Sequence, residues 1–240
     1  MDWHIASQTH RGNVRTINED ALLVDKNYPL IVVADGMGGH QAGEVASGML
    51  VDSLGALRLE TSISSAAAQV EASIIQCNAS LVDYAQQKLG GQSVGSTVVV
   101  MLTDSTAGVC MWAGDSRLYR ARNSQLEQIT ADHSYVAELV RSGQLTTEEA
   151  ANHPSSNVIT RAVGASAELN LDSLSFDIAD QDTYLLCSDG LYNEVSDNEI
   201  LAAMCEEDIS NSGEQLLQLC LNRRARDNVS FVIARAVGGA

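Results

Sequence analysis

The chain has 240 residues, 45% of them hydrophobic, and a formal net charge of −17. That length and apolar content suit a globular protein with a sizeable core and exclude a disordered one. The charge excludes nucleic acid and anionic membranes as natural partners, since their phosphates would repel it, and admits metal cations or basic protein segments.

The first twenty residues, MDWHIASQTHRGNVRTINED, hold no basic stretch followed by an apolar one, so no secretory leader is expected. ALLVD (21–25) and LIVVAD (30–35) read as two strands joined by KNYP. Val45, Met49, Leu50, Leu54 and Leu57 then recur at helical spacing, as do Ala67, Val70, Ile74, Leu81 and Tyr84 within a second helical stretch over 64–89. Strand signals return in STVVVMLT (96–103), AGVCMWAG (107–114) and RLYRA (117–121). Residues 132–165 are polar and mixed, with short helical pieces such as SYVAELVRSG, and read as an insertion or flap. TYLLCSD (183–189) is strand-like, 197–207 and 212–223 read as helices, and NVSFVIARA (228–236) closes the chain as a strand.

Only two prolines occur, Pro29 and Pro154, and neither a flexible linker nor an internal repeat divides the chain, so one domain over 1–240 is expected. No apolar run is long enough to span a bilayer. The five cysteines (Cys77, Cys110, Cys187, Cys205, Cys220) are odd in number and lack a C-x-x-C pair, which favours buried free thiols in a cytoplasmic protein. Strands in groups and helices in pairs predict an α+β fold of packed sheets with helices outside.

Acids stand where these strands begin or end. Asp35 ends LIVVA, Asp115 follows VCMWAG, Asp189 follows TYLLCS, Asp227 precedes NVSFVIARA, and Glu19 and Asp20 precede ALLVD. Aspartate is also an ordinary turn residue, so any one of them means little. If the strands stack, their ends converge, and clustered carboxylates resist ionisation unless a cation joins them. An all-oxygen donor set favours a hard ion, Mg²⁺ or Mn²⁺, over zinc. The glycines after Asp35 do not make a nucleotide site: no lysine follows as a P-loop needs, and G-M-G-G-H-Q-A-G (36–43) is not a dinucleotide fingerprint. Neither H-E-x-x-H nor G-x-S-x-G occurs.

Taken in order, RTINEDA (15–21), VVADGMGGH (32–40), GSTVVV (95–100), WAGDSRLY (112–119), ITADHS (129–134), LLCSDGL (185–191) and RDNVS (226–230) resemble the metal-dependent serine/threonine protein phosphatases of the type 2C (PPM) family, in its bacterial branch. The resemblance extends from about residue 5 to 237. It implies a four-layer αββα sandwich of two antiparallel sheets flanked by helix pairs, with a flap over about 132–165. It further implies that Asp35 bridges two Mn²⁺ or Mg²⁺ ions, that the Gly36 carbonyl ligates the second, and that Asp189 and Asp227 complete the first. Glu19 and Asp20 would hold water around the second ion, and Asp115 with Asp189 would serve a third, weaker one. Two such ions share a water and lower its pKa, and that hydroxide would attack phosphorus directly. Arg15 would hold the phosphate, because a guanidinium matches its oxygens bidentately. Asn228 is expected to order the Asp227 loop, and Ser96 and Thr97 to be packing residues.

One position departs from the pattern. Animal-type members carry histidine after the metal-binding Asp-Gly, where this chain has Met37, which cannot donate a proton. His40, His133, His153 and a metal-bound water are the alternatives for protonating the leaving oxygen. His40, His153 and Arg161 are expected to contact substrate, and the overall acidity suggests a preference for basic flanking residues. The resemblance implies phosphorylated proteins as substrates, a cognate Ser/Thr kinase as counterpart, and no role for nucleic acid or membrane. A small-molecule phosphoesterase or a pseudophosphatase binding module on the same fold is the competing reading.

Overall fold

The computed structural model describes residues 1–25, 30–38 and 42–238. Two antiparallel sheets lie face to face. One runs in spatial order β1 (Asp2–His10), β11 (Val229–Val237), β10 (Thr183–Cys187), β7 (Arg117–Arg122) and β8 (Gln125–Gln128). The other runs β2 (Asp20–Asp25), β3 (Leu30–Gly38), β5 (Val98–Thr103), β6 (Ala107–Ala113) and β9 (Asp172–Asp177), with β4 (Val94–Ser96) beside the end of β3.

The two-residue period of a strand explains the layering. In β3 and β5, Leu30, Val32, Val100 and Leu102 face one way, against α1 (Ala42–Gly55) and α2 (Ile63–Lys88). Ile31, Val33, Val99 and Met101 face the other way and meet Leu118, Tyr184, Leu186 and Val232 of the opposite sheet. Leu185, Cys187, Phe231 and Ile233 then point outward to α5 (Asp189–Tyr192), α6 (Asp197–Met204) and α7 (Ile209–Leu221). Central strands therefore read as unbroken apolar runs, because both faces are buried. Each such side chain, fully buried, contributes roughly 1.5–3 kcal/mol of transfer free energy. The result is the four-layer αββα sandwich expected.

Two details differ from the helical spacing. The face that α1 buries is Ala42, Gly43, Ala46, Ser47, Leu50 and Leu54, so Val45 and Met49 are only partly covered. Small residues are needed there because the helix runs close to the ends of β2 and β3. Helix α7 begins at Ile209, earlier than the pattern suggests, because Asp208 caps it by accepting from the Ser210 and Asn211 amides at 2.9 and 3.3 Å.

The flap holds two short helices, α3 (Tyr135–Arg141) and α4 (Thr147–Ala151). Its entry and exit are joined by a bridge between Ser134 and Ile159. All five cysteines are free, with Cys205 exposed and the other four buried. Among the described residues no helix is long and apolar enough to cross a membrane.

Candidate active site

One edge of the sandwich gathers the strand-end acids from both sheets. Asp20 opens β2 and lies opposite Asp35 of β3 in the antiparallel register. Asp115 sits in the turn that carries the chain from β6 in one sheet to β7 in the other. Asp189 is the first residue of α5, directly after β10, and Asp227 lies just before β11. Asp20 and Asp115 are buried, whereas Asp35 and Asp189 keep part of their surface open.

Two glycines let the backbones meet here. A Cβ on Gly36 would come 2.1 Å from the Gly43 carbonyl oxygen, and one on Gly43 would come 2.5 Å from Glu19 Oε1. Only glycine allows this crossing of the β3 end over the start of α1. Glu19 is held there by its own backbone. Its N–H donates to Asn228 Oδ1 at 2.8 Å, and its carbonyl accepts from the Gly36 amide at 3.1 Å and from Ser47 Oγ at 2.5 Å. Asn228 also donates through Nδ2 to the Arg11 and Ile17 carbonyls, at 3.0 and 2.9 Å. It thus stitches residues 11–19 to the Asp227 loop, as expected.

Buried hydroxyls connect the two sheets beneath the acids. Ser188 Oγ donates to Asp20 Oδ2 at 2.9 Å and accepts from the Ser230 amide at 3.1 Å. Thr97 Oγ1 accepts from the Asp35 amide at 3.0 Å and lies 2.7 Å from Ser116 Oγ, and Ser96 Oγ donates to the Asp35 carbonyl at 3.0 Å. Ser96 and Thr97 are therefore structural. The seryl residues 116 and 188 are the part of this layer that local sequence does not reveal, since their partners lie far along the chain.

The acids raise one another's pKa. Desolvation first, then the negative charges of Asp20, Asp189, Asp115 and Asp227, holds the Asp35 carboxyl well above the usual range. Asp189 is pushed up to about 8 by desolvation, then by Asp115 and Asp227. Asp20 and Asp115 are each raised to about 6, again mainly by desolvation. Asp20 Oδ1 and Asp189 Oδ1 are buried with no hydrogen-bond partner. Unpartnered oxygens in a cluster of mutually repelling carboxylates fit a hard divalent cation. The side chains are not drawn into a finished cage: no group of three or more His, Cys, Asp or Glu closes on one point among the described residues. The reason is visible in their partners. Asp227 Oδ2 is turned to Arg15 Nη2 at 2.6 Å, and Asp20 Oδ2 to Ser188.

On one side of this edge lies a cavity of about 630 Å³ under the flap. Asp115, Asp189 and Asn193 form its wall towards the acids, and Val136, Ala137, Val140 and Arg141 its flap wall. Tyr192 hydroxyl donates to the Asp115 carbonyl at 3.0 Å, and the Arg117 guanidinium stacks on the Tyr192 ring at 3.6 Å while pairing with Asp132 at 2.7 Å. Asn193 Nδ2 donates to Asp189 Oδ2 at 3.1 Å. No sequence signal marked Tyr192 or Asn193; the i to i+4 spacing from Asp189 is the one that could have found Asn193.

The residues expected to contact substrate fare unevenly. Arg15 stands beside Asp227, partly exposed. Arg161 is spent on Asp172, with Nη1 at 2.5 Å from Oδ1, so its charge is already matched by a carboxylate. His153 accepts from the Ser155 amide at 3.1 Å and leans on Tyr135, and it is not among the residues lining the cavity. His40 lies outside the described residues. His133 is buried and structural: its Nδ1 accepts from the Gly114 amide at 3.1 Å and its ring stacks on Trp112 at 6.0 Å.

This chain belongs to the protein phosphatase 2C family, whose profile matches residues 7–226. The serine/threonine phosphatase Stp of Listeria welshimeri is 38% identical to it over 220 residues, or 89% of this chain and 85% of that protein. Among solved structures, PppA of Pseudomonas aeruginosa matches with a TM-score of 0.91 at 38% identity, over 98% of both chains. The catalytic domain of the phosphatase PstP in complex with two manganese ions matches with a TM-score of 0.88 at 32% identity, over 98% of this chain and 99% of that one.

Proposed function

We propose that this serine/threonine phosphatase of the 2C family works as one catalytic domain over 1–240, hydrolysing phosphoserine and phosphothreonine by a single displacement. The observation that carries the mechanism is the convergence of Asp20, Asp35, Asp115, Asp189 and Asp227 from both sheets, where desolvation and neighbouring negative charges raise the pKa values of Asp20, Asp35, Asp115 and Asp189. Asp35, Asp189 and Asp227, with the Gly36 carbonyl, would hold two Mn²⁺ or Mg²⁺ ions, Glu19 and Asp20 would stand around them, and Asp115 with Asp189 would hold a third, weaker one. When bound, such ions neutralise the cluster and acidify a water at neutral pH.

The chain's own residues do the rest. Arg15 takes the phosphate oxygens, and Asp227 aims its guanidinium from 2.6 Å. Water oxygen bonds to phosphorus as the bond to the seryl or threonyl oxygen breaks, and that oxygen leaves with a proton. A covalent phosphoenzyme is disfavoured because the hydroxyls nearest the acids, those of Ser96, Thr97, Ser116 and Ser188, are buried and already hydrogen-bonded. The substrates are phosphorylated proteins and the biological counterpart is a Ser/Thr kinase. The free thiols fit a cytoplasmic setting.

The test is phosphate release from phosphothreonine and phosphotyrosine peptides with Mn²⁺, Mg²⁺ or EDTA, run in ¹⁸O-labelled water. Metal-dependent release from phosphothreonine with one solvent oxygen in the product is expected. Activity that survives EDTA, or a trapped phosphoprotein intermediate, would overturn this mechanism.

A further inference from the structure

The positive charge of this acidic chain is concentrated next to Asp227. Five of its 14 Lys and Arg residues fall in two short segments, 11–15 and 222–227, which contain a single acid. The fold brings the segments together. Asn13 donates through its amide to the Ala225 carbonyl at 2.8 Å, and through Nδ2 to the Leu221 carbonyl at 2.9 Å. Gly12, at φ +75°, permits the approach: a Cβ there would come 2.1 Å from the Asp227 carbonyl oxygen.

Of these five arginines, Arg15 pairs with Asp227 and Arg223 with Glu199. Arg11, Arg224 and Arg226 are exposed, and among the described residues no carboxylate lies within ion-pair distance of their guanidiniums. Elsewhere Arg117, Arg120, Arg122 and Arg161 are paired with carboxylates, whereas Arg58, Arg141 and Arg235 form no ion pair among the described residues. What sets the rim apart is that three of the six arginines without an ion pair among the described residues stand on two touching loops. An anionic partner would supply the countercharge that the chain does not place on these guanidiniums. Val14, 66% exposed, adds an apolar contact to the same rim.

We propose that this arginine rim docks an anionic stretch of the substrate polypeptide, either acidic side chains or a second phosphate, a few residues from the phosphoester being cleaved. The proposal rests on the phosphatase reading above and specifies its substrate class. It reverses the preference for basic flanks that net charge alone suggests. Salt confines the reach of an exposed charge to about 8–10 Å, so the charge beside the site outweighs the total. Guanidinium groups suit both carboxylate and phosphate, which they bind bidentately.

The experiment measures kcat/KM for three phosphothreonine peptides of equal length, flanked by Glu, by Lys, or by a second phosphothreonine, with an aryl phosphate as a small reference substrate. The parent is expected to favour the Glu-flanked and doubly phosphorylated peptides over the Lys-flanked one by about tenfold, the scale of three exposed ion pairs acting together. High salt should erase the preference. So should Arg11→Gln, Arg224→Gln and Arg226→Gln combined, with aryl phosphate turnover unchanged. If the combined variant does not fold, each single variant should reduce the preference about twofold. Equal rates on Glu and Lys flanks in the parent, or an acidic preference that outlives the substitutions, would overturn the assignment. Failure of the parent on every substrate would instead count against the phosphatase reading itself.

Discussion

The cavity beneath the flap has two walls, and the chain builds them by opposite means. On the acid side, Asp115 and Asp189 stand two residues beyond strands of the two sheets, in a cluster underlain by buried hydroxyls that bond Asp20 and Asp35. On the flap side, α3 buries no residue completely and is held at its N-terminal end: Ser134 Oγ accepts from the Ala137 amide at 3.3 Å, and the Tyr135 amide donates to the Val158 carbonyl at 2.8 Å. The first wall can move only if the sandwich opens. The second belongs to the low-stability end of the fold, where local opening is cheap. On the function proposed above, chemistry would fall to the rigid wall and the flap would be free to adjust to the bound polypeptide.

That contrast is broken most severely at Asp35. Asp35→Asn keeps the side-chain shape and removes the charge at the centre of the cluster, and kcat should fall by about 10³-fold or more, the scale of losing a central electrostatic group. Near-normal phosphate release at moderate Mn²⁺ would remove Asp35 from the centre of the site.

A second prediction concerns pH and metal removal. The carboxyls of Asp35 and Asp189 have pKa values raised in the folded state, Asp189 to about 8, so each stabilises the fold while protonated and loses that contribution as pH rises through its folded value. Between pH 7 and 9 the EDTA-treated protein should therefore melt at progressively lower temperature. His133, whose pKa is lowered mainly by burial, has already delivered its stabilisation above its ordinary value and does not oppose the trend in that window. Added Mn²⁺ should raise Tm more at pH 8.5 than at pH 7. A melting temperature of the metal-free protein that is flat or rising over this range would contradict the electrostatic account of the cluster.

Ser188→Ala tests the scaffold rather than the acids. It leaves Asp20 Oδ2 and the Ser230 amide without their shared partner in a buried setting, a loss of about 1–3 kcal/mol in stability. Turnover should drop about tenfold, because a misplaced carboxylate weakens the site without emptying it of charge. Denaturant unfolding and kcat/KM measured on the same preparation check both parts. A stability loss without any loss of turnover would separate the hydroxyl layer from function.

The smallest effect is expected on the flap. Arg141→Ala alters a cavity-lining residue with no ion pair among the described residues. It should change discrimination among phosphopeptides about threefold, within the range of a single exposed charge, and leave aryl phosphate turnover nearly unchanged. Equal losses on both substrates would show that the flap shapes the acid cluster itself, and the contrast between the walls would fail.

The strongest structural signals were local ones. The apolar runs of β3, β5, β10 and β11 are legible because burial on both faces demands continuous apolar sequence. The acids at their ends are legible because they interrupt those runs, and the order of seven short motifs was enough to recognise the family. The partly exposed strands β1, β8 and β9 raised no such expectation. Their burial patterns are intermediate or exposed almost throughout, so nothing in their composition separates them from loops.

What the sequence by itself determined is which residue types stand at the strand ends, and therefore that a cluster of oxygen donors forms wherever those ends converge. Only the tertiary structure decided how those donors are held and which cations remain free. Ser188 meets Asp20 across 168 positions, Arg15 meets Asp227 across 212, and Arg161 is taken by Asp172. The same packing brought the loop of Arg11 against that of Arg224 and Arg226 and left all three guanidiniums without an ion pair among the described residues. A sequence shows charges one at a time, but pairing depends on distances of a few ångströms that exist only after two sheets have closed over a common core.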